Sequence, residues 1–200
     1  MYVNLVIITE NLFLKGVNRK VQKDSSSPQF NRDPSEHVER GLLKVLNRLR
    51  VTIERDALVK ETIRHLQESL KVDRVVLYYF YDEWHGQVTC EALSSEVYSI
   101  LGSTGPDECF NGEYAELYLA GRIRAITDIE TETITPCHRD FLRSLQVRAN
   151  LVVPILVPRG LWGLLVAHHC QAPRDWQTSD FEAMQQSMNI LATAPCILNS

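Results

Sequence analysis

Apolar residues recur at helical spacing through Leu42, Leu46, Leu49 and Ile53, and again through Val59, Ile63, Leu66 and Leu70. Two consecutive helices follow from this pattern. Asp33 or Ser35 suits the N-cap of the first, with Pro34 in its first turn, and Asp56 suits the N-cap of the second. Stripes of this kind form a core face, and the first, projecting ahead of the rest, could also pair in a dimer. From Arg74 to Tyr81 the chain turns rich in Val and Tyr and reads as a strand. The turn Asp82-Glu83-Trp84-His85-Gly86 then leads into an antiparallel neighbour over Gln87 to Leu93. Ser94 to Gly121 is mostly loop, with a short helix around Glu113 to Leu119. Arg122 to Thr127 alternates like a strand, Asp128 to Pro136 is loop, and Cys137 to Leu145 makes a short helix. Arg148 to Leu156 and Leu161 to Cys170 are strong strands joined by Val157-Pro158-Arg159-Gly160, and a closing helix runs from about Ser179 to Leu191.

Hairpins at both ends of the β region predict an α+β fold: a central antiparallel sheet with the terminal helices packed on one face. No GxGxxG follows a strand, which speaks against a Rossmann arrangement. The long central connections must then lie over the other face, so a ligand site is expected from residues 94 to 147. Asp24-Ser25-Ser26-Ser27-Pro28 and Asp33-Pro34 mark residues 1–34 as a polar, mobile arm. A leading helix over 35–55, a principal domain over 56–192 and a tail over 193–200, where Pro195 interrupts the last helical pattern, complete the organisation.

Composition narrows the function. Two hundred residues, 44% hydrophobic and 23% charged, suit one soluble domain with an extension. The longest apolar run, Val75 to Tyr81, is far short of the roughly 20 residues of a membrane span. Twenty-one basic against 25 acidic residues, a net charge of −4, and no dense Lys/Arg block speak against direct nucleic-acid binding. Met1 to Leu14 is apolar, but no Lys or Arg precedes Lys15 and no small-residue cleavage site follows, so a cytoplasmic chain is expected. Five irregularly spaced cysteines without a CxxC unit suggest reduced thiols and no zinc site.

Three clusters carry candidate chemistry. In Thr135-Pro136-Cys137-His138 the imidazole and the start of a helix both favour a thiolate, giving an activated nucleophile; the plain alternative is a half-buried Cys beside a surface His. In Asp107-Glu108-Cys109-Phe110 the carboxylate raises the thiol pKa, so Cys109 is a poor general nucleophile; a turn Asp and a buried Cys is the alternative. In His168-His169-Cys170 strand alternation puts His168 and Cys170 on one side and His169 on the other, which rules out one shared metal ion. His168 on a pocket face could bond a ligand carbonyl, or be a satisfied core histidine. No GxSxG, HExxH or Walker A motif is present, and Glu130, Glu132 and Asp140 read as solvated loop charges.

Together these segments resemble the bilin-binding GAF domain of the phytochrome superfamily, specifically the cyanobacteriochromes, over about residues 50 to 192. Cys137-His138 followed by Leu145-Gln146-Val147-Arg148-Ala149-Asn150-Leu151-Val152-Val153-Pro154-Ile155 resembles the attachment helix and the strand after it. Trp162-Gly163-Leu164-Leu165-Val166-Ala167-His168 resembles the penultimate strand, and Gly121 to Ile129 the segment entering the attachment loop. Asp107-Glu108-Cys109-Phe110 fits the Asp-Xaa-Cys-Phe motif of a dual-cysteine subgroup.

The resemblance implies a covalently attached linear tetrapyrrole, phycocyanobilin or phycoviolobilin, with Cys137 in a thioether to ring A. It places His138 beside the inner rings, Asp107 as acceptor of pyrrole N–H groups, and Tyr118 and His168 near the propionates and ring D. Cys109 would add reversibly to the central methine bridge, and isomerisation at C15 would favour its release. Arg122, Arg124 and Arg148 are the candidate cations for the propionates. No substrate is turned over, so no enzyme is expected, and the signal would pass to a homodimer partner or a separate output protein. The second histidine of His168-His169 resembles phytochromes, where many cyanobacteriochromes carry Gln. The alternatives are a chromophore-free GAF domain that binds a small ligand such as a cyclic nucleotide or serves as a dimerisation module, and a thiol redox sensor pairing Cys109 with Cys137.

Overall fold

The computed structural model describes residues 34–82, 85–105 and 113–200. Helix α1 (Pro34–Arg55) leads directly into α2 (Ala57–Leu70). The break falls at Asp56, whose carboxylate accepts from the backbone N–H groups of Leu58 (3.0 Å) and Val59 (3.2 Å) and so satisfies two orphan donors of α2. The predicted stripe Val59, Ile63, Leu66 and Leu70 is the buried face of α2. In α1, Leu46 and Ile53 are buried while Leu42, Leu43 and Val45 are exposed, so the leading helix enters the core only through its second half.

Five strands follow: β1 (Arg74–Phe80), β2 (Gly86–Leu93), β3 (Arg124–Ile126), β4 (Ala149–Val157) and β5 (Gly160–His169). They form one antiparallel sheet in the order β2-β1-β5-β4-β3. A Cβ at Gly163 would overlap the backbone of Tyr78, so glycine is what lets β5 lie against β1 at that point. Between β1 and β2 the register slips: Leu77 pairs with Cys90 and Tyr78 with Val88, leaving Thr89 as the extra residue of a bulge. Its hydroxyl donates to the Leu77 carbonyl at 3.3 Å. As a result Val88 and Cys90, two residues apart, face opposite sides of the sheet.

One face is covered by α1, α2 and α5 (Thr178–Leu191). Val75, Leu77, Leu151, Val153, Ile155, Leu165 and Ala167 meet Ile53, Val59, Ile63, Leu66, Met184 and Leu191 there in the main core. The short α6 (Pro195–Leu198) adds Cys196 and Ile197 to it, and the indole N–H of Trp162 donates to the Ser200 hydroxyl at 2.7 Å. Residues 193–200, expected as a tail, are thus packed against the domain. The opposite face carries the loop after β2, with its 3₁₀ turn Glu96–Tyr98, and the helices α3 (Glu113–Leu119) and α4 (Pro136–Ser144). No helix among the described residues is long and apolar enough to cross a membrane.

Candidate functional site

The loop-covered face carries a cavity whose envelope, counting the space open to solvent, is about 810 Å³. Strand alternation builds its floor. Val76 and Tyr78 of β1, Asn150 and Val152 of β4, and Leu164, Val166 and His168 of β5 all point into it. The expectation that residues 94 to 147 would form the site holds for its walls and misses this floor. Residues 138, 141, 142 and 145, one face at helical spacing, put His138, Phe141, Leu142 and Leu145 along one wall. Ile100, Ser103, Thr104 and Tyr118 form another side.

Local bonds hold these walls. The loop after β2 is pinned by Val88 N–H to the Ser103 carbonyl (2.9 Å), Gly102 N–H to the Val88 carbonyl (2.9 Å), and Gly105 N–H to the Tyr78 hydroxyl (2.9 Å). Gly121, at φ 86°, takes the left-handed conformation that turns the chain from α3 toward β3 and leaves Tyr118 over the cavity. At α4, Thr135 caps the helix by accepting from His138 N–H (3.3 Å), and Pro136 occupies the first turn. Arg139 ties the preceding loop to α4 by donating to the carbonyls of Ile129 (2.8 Å) and Glu132 (2.7 Å).

Cys137 therefore lies in the first turn of α4, as its sequence context predicts, on the exposed side beside His138. Its sulfur is in a disulfide, whereas Cys90, Cys170 and Cys196 are in none. This differs from the expectation of uniformly reduced cysteines. Asp107 and Cys109 lie outside the described residues. His138, Tyr118 and His168 all line the cavity. His169 turns away and bonds the Ala172 carbonyl at 2.8 Å, as strand alternation predicts.

The electrostatics of the cavity favour neutral rings. Burial, reinforced by Arg124, lowers the pKa of His138. Burial, reinforced by Arg74, holds His168 well below the ordinary histidine value. Burial pushes the Tyr118 phenol up to about 12. Of the three candidate cations only Arg124 lines the cavity, where it also pairs with Glu132 at 2.7 Å. Arg148 is held by Asp128 through two bonds of 2.8 and 2.9 Å. Glu130 and Asp140 both pair with Arg143; Asp140 stays exposed as expected, while the side chains of Glu130 and Glu132 are partly buried in their pairs with Arg143 and Arg124. Two polar residues escaped the sequence reading. Asn150 is buried with its Oδ1 unpartnered among the described residues, and Arg74 is fully buried with its Nε donating to His168 Nδ1 at 2.8 Å. The available signal for Arg74 was its phase, since it alternates with Val76 and Tyr78 onto the inward face.

Comparison with known proteins agrees with this architecture. The family model for the GAF domain matches residues 54–194. An uncharacterized protein of Picosynechococcus sp. is 51% identical over 154 residues, which cover 77% of this chain and 94% of that protein. A putative methyl-accepting chemotaxis protein of Synechocystis sp. is 33% identical over 88% of this chain, but the match spans only 18% of that much longer protein. The blue-light absorbing form of the PixJ GAF domain of Thermosynechococcus elongatus superposes with a TM-score of 0.62 at 36% identity, covering 70% of this chain and 85% of that one. The phycoerythrobilin-bound GAF domain from a cyanobacterial phytochrome gives a TM-score of 0.64 at 28% identity, covering 78% and 95%. With its antiparallel sheet, its helices on one face and its loop-walled cavity on the other, the chain belongs to the GAF domain family.

Proposed function

We propose that this chain is a photoreceptor domain whose cavity holds a linear tetrapyrrole attached through Cys137. The observation that carries the reading is the α4 wall: Cys137 in the first turn, and the next residue, His138, opening a helix face that lines a largely apolar cavity. The polar groups there match such a ligand. A linear tetrapyrrole brings several N–H donors, carbonyl acceptors and two propionates to an otherwise flat, apolar body. Asn150 offers a buried acceptor without a donor among the described residues, His168 an imidazole on the cavity floor, and Arg124 a cation. The similar solved domains named as phycoerythrobilin-bound, phycocyanobilin-bound and blue-light absorbing support the same ligand class.

When bound, the bilin supplies light absorption and isomerisation about its C15 double bond. The protein's part is to hold and bias it. The Cys137 thiol adds across the ring-A side-chain double bond: a C–S bond forms, the thiol proton passes to the neighbouring carbon, and no electrons are exchanged. The sulfur must be a thiol for this, so its disulfide has to be reduced first by an external thiol reductant, which supplies the two electrons and leaves as its own disulfide. His138, kept neutral, packs beside the inner rings. In this reading Asp107 accepts the pyrrole N–H bonds and Cys109 makes the second, reversible addition that shortens the conjugated system. The resulting change passes to a second copy of the chain or to a separate output protein.

The test is co-expression with a phycocyanobilin pathway, reducing purification, absorption spectra before and after illumination, and zinc fluorescence on a denaturing gel. A zinc-fluorescent band with reversible blue-to-longer-wavelength conversion is expected. Cys137→Ala should abolish the band. Cys109→Ala should keep it and lose the short-wavelength state; an unchanged spectrum would refute the second-thiol role. A colourless protein under verified bilin supply would overturn the photoreceptor reading in favour of a chromophore-free GAF domain for a small ligand such as a cyclic nucleotide.

A further inference from the structure

Arg74 is the most deeply buried charge among the described residues, and the bilin reading gives it no task. It is fully enclosed, yet its guanidinium meets no carboxylate. Nε donates to His168 Nδ1 (2.8 Å), Nη1 to the Tyr98 carbonyl (2.6 Å), and Nη2 to the Leu145 carbonyl at the C-terminal end of α4 (2.6 Å). The nearest acids are engaged elsewhere: Asp73 accepts from Cys170 N–H and the Gln171 amide, and Glu91 from the Ser99 hydroxyl and Ile100 N–H. A guanidinium can only donate. Nδ1 of His168 must therefore carry a lone pair, and the ring hydrogen must sit on Nε2, which has no protein partner among the described residues and faces the cavity.

We propose that Arg74 is the positioning residue of His168: its Nε bond fixes the imidazole as the neutral Nε2–H tautomer, so that β5 presents to the cavity a permanent hydrogen-bond donor for a ligand carbonyl. The same guanidinium fastens that donor to the end of the helix that carries Cys137 and to the loop at Tyr98. The other groups facing the cavity do nothing to favour an imidazolium. Arg124 of β3 is a cation; His138 of α4 and Tyr118 of α3 are neutral; Asn150, the cross-strand partner of His168 on β4, is uncharged. No carboxylate lines the cavity among the described residues. The identification of the carbonyl as the bilin's rests on the proposed function. The tautomer does not.

The experiment is long-range ¹H–¹⁵N correlation of the histidine side chains in the full ¹⁵N-labelled chain without bilin, from about pH 5 to 8, the interval in which an ordinary imidazole changes charge. His168→Gln identifies the His168 signals. In the unmodified protein, His168 should show the Nε2–H pattern unchanged across the interval. In Arg74→Met, which keeps side-chain length but donates nothing, the ring should populate both tautomers and take up a proton within it. A wild-type His168 that titrates there, or that carries its hydrogen on Nδ1, would overturn the proposal whether or not the Arg74 variant folds. So would an Arg74→Met protein with an unaltered His168 pattern. A colourless protein in the bilin test would leave these readings untouched, so the two failures are distinguishable.

Discussion

Leu164 and Leu165 are neighbours on β5, both buried, and point to opposite faces of the sheet. Leu165 sits in the main core, closed on all sides by α1, α2 and α5. Leu164 sits with Val76, Tyr78, Val152 and Val166 on the floor of the cavity, and shares that floor with Asn150 and His168. Burial alone does not separate the two faces. One is packed solid, and the other borders open space, with a buried Asn150 Oδ1 that has no partner among the described residues. A GAF domain can thus keep a stable fold on one side of a sheet while the other side is shaped by its ligand.

The largest test of this contrast is a pair of truncations. Leu165→Ala should cost about 4 kcal/mol in urea unfolding, because the helices on that face cannot collapse into the hole. Leu164→Ala should cost about 2.5 kcal/mol, mostly transfer energy, since unfilled space is already present beside it. Equal losses would break the comparison. A smaller effect is expected from acid. His168 is held well below its ordinary value by burial and by Arg74, so below about pH 6.5 the unfolded chain binds a proton that the native chain refuses. Stability should be flat above that pH and fall by about 1.4 kcal/mol per unit below it, until the native ring is protonated. His138, shifted the same way by burial, adds to the same sign. His168→Gln should flatten the profile measured by thermal unfolding. Least affected should be Tyr118→Phe, at about 0.5 kcal/mol or less. The hydroxyl has no protein partner among the described residues, so the change should appear instead as a displaced absorption maximum in the bilin-loaded protein.

The fold was legible where its causes are local. Asp56 and the stripe Val59, Ile63, Leu66 and Leu70 lie within a few turns of one another, and the Pro/Gly turn before β5 announces its own hairpin. The faces assigned to His168 and His169 followed from alternation alone. What stayed hidden depends on partners far along the chain. Arg74 reaches residues 24, 71 and 94 positions away, and no pattern around it signals them. Choosing Arg124 over Arg148 required knowing that Asp128, twenty positions back, already holds Arg148. Asp107 and Cys109 rest on the motif resemblance, since they lie outside the described residues.

Thr89 has a consequence of a different kind. Because it is the extra residue opposite Leu77 and Tyr78, it acts as a parity switch: strand β2 serves one compartment before it and the other after it. Removing that one residue would restore plain alternation, with Cys90 still opposite Leu77 and Val88 still opposite Tyr78, so each side chain would keep its present face and only the local kink would go. A deletion at any paired position of β2 would turn its neighbours over, whereas here the sheet has already set one residue aside.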